Sequence, residues 1–183
     1  MKRIAGLLVM SALFIVHVFP SAVVNAVREQ EINGGLLFAA PGGTSATCSS
    51  WADACDLQTA LSTAAAGNEI WAQAGTYKPT SGTDSTISFV LKSGVAIYGG
   101  FLGTETACDQ RDWLANETIL SGEIGNLSVK TDNTFHVVRA NGVDASALLD
   151  GFSIVDAYTS YNDPDARGGG FYCSNGASPT LKN

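Results

Sequence analysis

Apolar residues obey three different rules along this chain. From residue 4 to residue 19 they run almost unbroken, interrupted only by Ser11 and His17. Between residues 56 and 66 they recur at helical spacing, as Leu57, Leu61, Ala64 and Ala65 with Ala60 beside them. Asp56 stands where a carboxylate caps a helix N-terminus, and Gly67 where a left-handed residue ends one. The spacing therefore predicts a short amphipathic helix over 56–66 with a small-residue face. After Gly67 the helical period is lost. Short apolar runs follow at 69–74, 87–91, 95–98, 118–120, 134–138 and 147–154, with a weaker one at 170–173. Gly, Asn, Asp and Ser separate them, as turns separate strands.

No second helix-length pattern lies between these runs, which argues against a doubly wound α/β sheet. A sandwich, a barrel or a β-helix remains. Corresponding runs recur about 20–30 residues apart, the range of repeat architectures. In a β-helix each strand pairs with its counterpart one coil away, about 4.8 Å along the axis, and the inward residues stack. The first coil of such a stack needs a cover over its strand edges and apolar end, a role that suits the 56–66 helix. By pattern alone the sandwich stays open. Residues 27–47, with Gly34-Gly35, Pro41-Gly42-Gly43 and Thr44-Ser45, show no period and read as a linker.

The N-terminal run changes the picture of location. Lys2 and Arg3 precede it, Pro20 ends it, and Val24 and Ala26 are small enough for the −3 and −1 positions of a signal peptidase site. Its 16 residues fall short of the roughly 20 that a spanning helix needs. Residues 1–26 read as a secretory signal peptide, with no transmembrane helix in the mature chain. Four cysteines, Cys48, Cys55, Cys108 and Cys173, fit export, since an even number in an exported chain suggests disulfides. Cys48 and Cys55 are close enough to close a small loop. A Cys108–Cys173 pair has no support from spacing. Formal net charge is −7, and removing Lys2 and Arg3 leaves about −9. A chain this acidic, without a basic cluster, is not expected to bind nucleic acid.

Several segments, in order, carry a resemblance. They include Gly67-Asn68-Glu69-Ile70-Trp71-Ala72, Ala74-Gly75-Thr76-Tyr77-Lys78-Pro79, Tyr98-Gly99-Gly100-Phe101 and Gln110-Arg111-Asp112-Trp113. Thr118-Ile119-Leu120-Ser121-Gly122, Leu149-Asp150-Gly151-Phe152 and Gly168-Gly169-Gly170-Phe171 follow. Together they resemble the N-terminal region of large bacterial right-handed parallel β-helix surface proteins of the pectin-lyase-like fold. The GGG-containing segment is similar to coils of polymorphic outer-membrane proteins. The resemblance covers about residues 50–183. It implies an all-β right-handed parallel β-helix over 48–183 with an N-terminal capping helix. Because Ser178-Pro179-Thr180-Leu181 reads as a coil about to turn into the next, it also implies a chain that stops before the helix is finished.

Fold does not choose a chemistry here. Gln110-Arg111-Asp112-Trp113 reads either as a sugar subsite or as a pinned loop. In the first, Trp113 is a stacking platform and Arg111 and Asp112 form hydrogen bonds. In the second, an Arg–carboxylate pair and a buried indole hold the loop, and this reading is favoured. Trp71 offers the same choice, with packing favoured. Asp156, Asp163 and Asp165, with Asn162, are oxygen donors suited to Ca²⁺. The resemblance allows such a site, although a solvated acidic loop is the preferred reading. Glu105, Asp109, Asp112 and Glu123 include candidates for a glycosidase pair, but no spacing sets two of them across a cleft. His136 reads as structural. The sequons at Asn116 and Asn126 are taken as chance matches in a chain of bacterial character.

The sequence is thus expected to encode a non-catalytic secreted or cell-surface protein, an adhesive or structural stalk that meets surface glycans. The alternative is a polysaccharide lyase or glycoside hydrolase whose active site lies further along the helix. Secreted material should begin at Val27. N-terminal sequencing checks this, and a membrane-retained chain still carrying residues 1–26 would refute it.

Overall fold

A computed structural model describes residues 35–159 and 167–183. The N-terminal segment expected as a signal peptide, Asn162, Asp163 and Asp165 lie outside the described residues.

The regular structure of the described chain is mostly parallel β-strands, with one α-helix and three short 3-10 turns. In order, the elements are β1 (Leu36–Ala39), α1 (Leu57–Thr63), β2 (Glu69–Gln73), β3 (Gly75–Tyr77), β4 (Phe89–Val90) and β5 (Ala96–Phe101). Then come β6 (Thr118–Ser121), β7 (Val138–Asn141), β8 (Leu148–Asp150), β9 (Ser153–Val155), β10 (Phe171–Ser174) and β11 (Thr180–Lys182). The first sheet has the order β1-β2-β5-β8-β11, the second β3-β6-β9 and the third β4-β7-β10. All the strand pairs are parallel. From β2 onward the chain visits the first, second and third sheets in turn and then returns to the first.

Alternation along each strand sets one row of side chains inward. In the first sheet Leu37, Ile70, Ile97, Leu149 and Leu181 stand in register. The second aligns Tyr77, Leu120 and Ile154, and the third Phe89, Val138 and Phe171. Ile70, Ile97, Leu149, Tyr77, Leu120, Phe89 and Val138 are buried in one apolar cluster. Burying each such side chain contributes about 1.5–3 kcal/mol.

The helix is shorter than its spacing predicts. Asp56 is the N-cap, accepting from the Thr59 amide, but the helix ends at Thr63 with Ala64 as C-cap. Lys92 Nζ donates to the carbonyls of Ser62 and Ala64, and Asn68 Oδ1 accepts from the Ala65 amide. These partners take groups that a longer helix would use, so Gly67, at φ +94°, belongs to the following turn. Leu57, Ala60 and Leu61 face the core, and the helix packs on β1, β2 and β4.

Residues 27–47, expected as a linker, contribute a strand. β1 pairs with β2 through Leu36↔Glu69 to Ala39↔Ala72. Four residues are too few to show a period, and their partner lies beyond the helix, so the pattern could not reveal them. On its other side β1 is bonded by the 48–55 loop. The Phe38 amide donates to Cys48 O, the Cys55 amide to Phe38 O, and the Ala40 amide to Cys55 O. Cys48 and Cys55, both fully buried, form a disulfide that closes this loop. The loop-entropy account assigns such a closure about 2.5 kcal/mol. An edge that would template further pairing is thereby covered. Cys108 and Cys173 are free.

Tyr77 links the second sheet to β1. Its hydroxyl lies 2.8 Å from Gln73 O and 3.1 Å from Ala39 O. Burial pushes its phenol far above the ordinary value, against the hydrogen bond to Gln73. A phenol kept neutral in the fold but free to ionise when unfolded stabilises the fold fully below about pH 10. That stability is lost as pH rises further, because the unfolded state then holds fewer protons. Urea unfolding between pH 8 and 11 should show a steeper alkaline loss for the native chain than for Tyr77→Phe. Equal slopes would mean that Tyr77 is not held neutral.

Candidate functional site

The segments that carry the resemblance meet in space. After β5 the chain leaves the first sheet and folds back over its outer face, bringing Gln110-Arg111-Asp112-Trp113 down on β5 and β8. Arg111 is the centre of this contact. Its Nη2 lies 2.8 Å from Asp150 Oδ2, with side chains 9% and 6% exposed. Its Nη1 donates to Gly99 O at 3.1 Å and reaches Asp150 O at 3.3 Å. The guanidinium also lies 5.0 Å from the ring centres of both Tyr98 and Trp113. Two glycines make room. Gly100, at φ +96°, would put a Cβ 2.7 Å from the Trp113 backbone, and Gly151, at φ +81°, would put one 2.9 Å from Arg111 Nη1.

The rest of the loop folds on its own acids. Asp112 Oδ1 accepts from the amides of Leu114 and Ala115. Gln110 Oε1 accepts from those of Thr106 and Ala107. Glu105 accepts from Leu102, Gly103 and Thr104. Burial raises the Glu105 carboxyl, but these backbone donors more than offset it and leave it below its ordinary value. Burial pushes the Cys108 thiol up, away from a reactive thiolate, although Arg111 pulls it back in part. Trp71 is packed beneath the same loop. It stacks on Phe101 at 4.8 Å and meets Phe38 edge-on, while Trp51 Nε1 donates to Glu105 O.

Beside Arg111 the outer surface opens into a groove of about 620 Å³, lined by Trp113, Leu114, Glu117, Ser153, Phe152 and Asn183. Trp113 is 37% and Leu114 85% exposed. Ser153 Oγ donates to Glu117 Oε1 at 3.0 Å. Of the sequence-expected ligand residues, Trp113 thus borders this groove, whereas the Arg111 guanidinium is engaged by Asp150 and the Gly99 carbonyl, and Asp112, which is exposed, has its Oδ1 engaged by the Leu114 and Ala115 amides. Asp150, Glu117 and Ser153 were not singled out by sequence. Asp150 sat in a quoted motif, but nothing in its spacing tied it to Arg111, which lies 39 residues away.

The remaining candidates lie elsewhere. Asp156, at φ +58°, follows β9; its Oδ1 accepts a hydrogen bond from Lys130 Nζ at 3.0 Å and its Oδ2 one from the Ser121 hydroxyl. That bond, with the nearby carboxylates, holds the Lys130 ammonium above its ordinary value. Glu123 is buried 3.7 Å from the same ammonium. His136 is buried, stacked on Tyr172 with centres 4.6 Å apart, with Nδ1 3.2 Å from Gly168 O. Among the described residues no helix is long and apolar enough to cross a membrane.

Among the described residues this geometry defines a predominantly β protein with all-parallel strand pairing, one α-helix and one disulfide. Comparison with protein-family models, curated proteins and solved structures gave no match.

Removing Arg111 leaves the buried Asp150 charged without its cation, with only Asn183 Nδ2 still donating to its Oδ1 at 2.9 Å. Breaking one member of a buried pair costs about 3–5 kcal/mol. Arg111→Ala should lower the urea midpoint accordingly, and Arg111→Lys, which cannot span carboxylate and carbonyls together, should recover only part. A loss under about 1 kcal/mol, the range of an exposed pair, would refute a pinning role.

Proposed function

We propose that this chain is an exported, non-catalytic protein whose strands form a right-handed parallel β-helix, a stiff scaffold with a glycan-contacting face. The observation that carries the reading is the order of visits. The chain returns to the same three sheets in the same rotation, and each return sets an apolar residue on the one before, as Ile97 on Ile70 and Leu149 on Ile97. Such a stack gives a long regular face without needing a catalytic pocket. Export is supported by the three-part N-terminal pattern and by a disulfide, which persists in oxidising compartments. The contact face is the groove beside Trp113. A partly exposed indole offers an apolar platform, and the Glu117–Ser153 pair and the Asn183 amide oxygen, whose Nδ2 already donates to Asp150, offer hydrogen-bond groups. The acidic chain favours neutral glycans over acidic ones, because like charges repel.

Binding to immobilised neutral polysaccharides, with parallel assays for released reducing ends and unsaturated products, tests the reading. Binding without cleavage is expected. Trp113→Ala should weaken it about fivefold, the worth of about 1 kcal/mol of aromatic contact. Reproducible cleavage products, abolished by changing an acidic residue, would replace the scaffold reading with an enzymatic one.

A further inference from the structure

Glu123 is the most anomalous side chain in the described structure. It lies just after β6 and is 3% exposed, yet neither carboxylate oxygen receives a hydrogen bond. A carboxylate taken from water without donors is strongly unfavourable unless a cation or a set of hydrogen bonds replaces the water. Lys130 is the cation found beside it, but at 3.7 Å its ammonium is beyond hydrogen-bond distance. That ammonium instead bonds Asp156 Oδ1 at 3.0 Å. One positive charge therefore lies between two carboxylates, one buried and one at the surface.

The surroundings hold further unpartnered acceptors. Asn133 is fully buried, and its Nδ2 donates to Asp156 O at 2.7 Å, which fixes the amide orientation. Its Oδ1 then has no donor, and Asp132 Oδ1 is likewise buried without one. These orphaned groups are all oxygen acceptors. An arrangement rich in buried oxygens and poor in donors suits a hard cation, which accepts carboxylate, amide and carbonyl oxygens at about 2.3–2.6 Å in flexible geometry.

We propose that Glu123 and Asp156, with the Asn133 amide oxygen beside them, form a binding site for a divalent cation of calcium size, in competition with the Lys130 ammonium. Among the described residues no three carboxylate, imidazole or thiolate groups converge. The site therefore has two carboxylates, with amide oxygen and water completing the shell. A shell of this low charge implies weak binding, with a Kd on the order of 10⁻⁴–10⁻³ M, the range of extracellular modules. The Lys130 side chain is 60% exposed and free to swing into solvent when the ion enters. The ion would tie the loop after β6 to the residue that follows β9, joining two successive strands of the second sheet through their exits. This site is separate from the Trp113 groove and does not depend on glycan binding.

Calorimetric titration of the full chain with CaCl₂, and with MgCl₂ in parallel, tests the site, with thermal unfolding as a second readout. Calcium should bind at one site, more tightly than magnesium, and raise the unfolding temperature. Glu123→Gln and Asp156→Asn should each weaken binding at least tenfold. Asn suits the left-handed backbone at position 156, so that variant keeps the local fold even if the buried Glu123→Gln does not. Lys130→Ala should tighten binding several-fold by removing the competitor. No calcium binding, binding indifferent to Asp156→Asn, or weaker binding in Lys130→Ala would each overturn the proposal.

Discussion

Parallel pairing governs everything else in this structure. A parallel strand cannot be joined to its partner by a tight turn, so each ladder is made with a strand far away in sequence. Ile70 meets Ile97 on one side and Leu37 on the other, and Leu120 meets Ile154. No single segment can bury its apolar row alone. Each row becomes stable only when its neighbours are in place, and the three rows close on one another in a common apolar cluster. Ladders of this kind concentrate loop-closure entropy, so folding is expected to be slow relative to a helical protein of the same length.

This constraint explains why polar side chains are used as fasteners. The connections leave the sheets as irregular loops whose backbone groups need partners. Glu105, Asp112 and Gln110 satisfy amides in the loop after β5, and Arg111 ties that loop to Asp150 and the Gly99 carbonyl, beside the bonds of the Asp112 amide and Asn116 Nδ2 to Gly100 O. Residues that look like chemistry in a sequence, carboxylates grouped near an arginine and a tryptophan, are thus largely consumed in holding the loop to the sheet. What they leave free is narrow: the outward part of Trp113, Leu114 and the Glu117–Ser153 pair. The disulfide-closed loop, which meets the same loop through Trp51 and Glu105, performs a related task, satisfying the outer edge of β1 and closing the first sheet.

Much of the site was legible only in part. The Gln110-Arg111-Asp112-Trp113 segment announced a pinned loop through its residue types, and an Arg–carboxylate pair is what Arg111 makes. Its carboxylate was not legible, because Asp150 is distant in sequence and sits on the outward side of a strand whose inward row alone gave a signal. Trp71 illustrates the same limit. Alternation placed it opposite Ile70 and Ala72, but only the returning loop and Trp51, Phe38 and Phe101 decide that this outer face is covered. Glu123 stood out in the sequence only as one of four scattered carboxylates; its burial left no mark, since a lone Glu after a strand is ordinarily solvated.

The sequence by itself determined the elements with local causes. Short apolar runs between turn residues specified strands, Asp56 specified where the helix begins, and the spacing of Cys48 and Cys55 specified the loop they close. It also set the strong negative charge and the apolar N-terminal run. The tertiary structure decided everything that depends on which strand lies beside which. It fixed the parallel register, the recruitment of β1 from an apparently patternless stretch, the end of the helix at Thr63, and the partners of Arg111, Glu123 and Asp156. The physical reason is one of range. Dihedral preference, capping and alternation act over a few residues and leave a pattern, whereas pairing and burial join residues tens of positions apart and are settled only by packing.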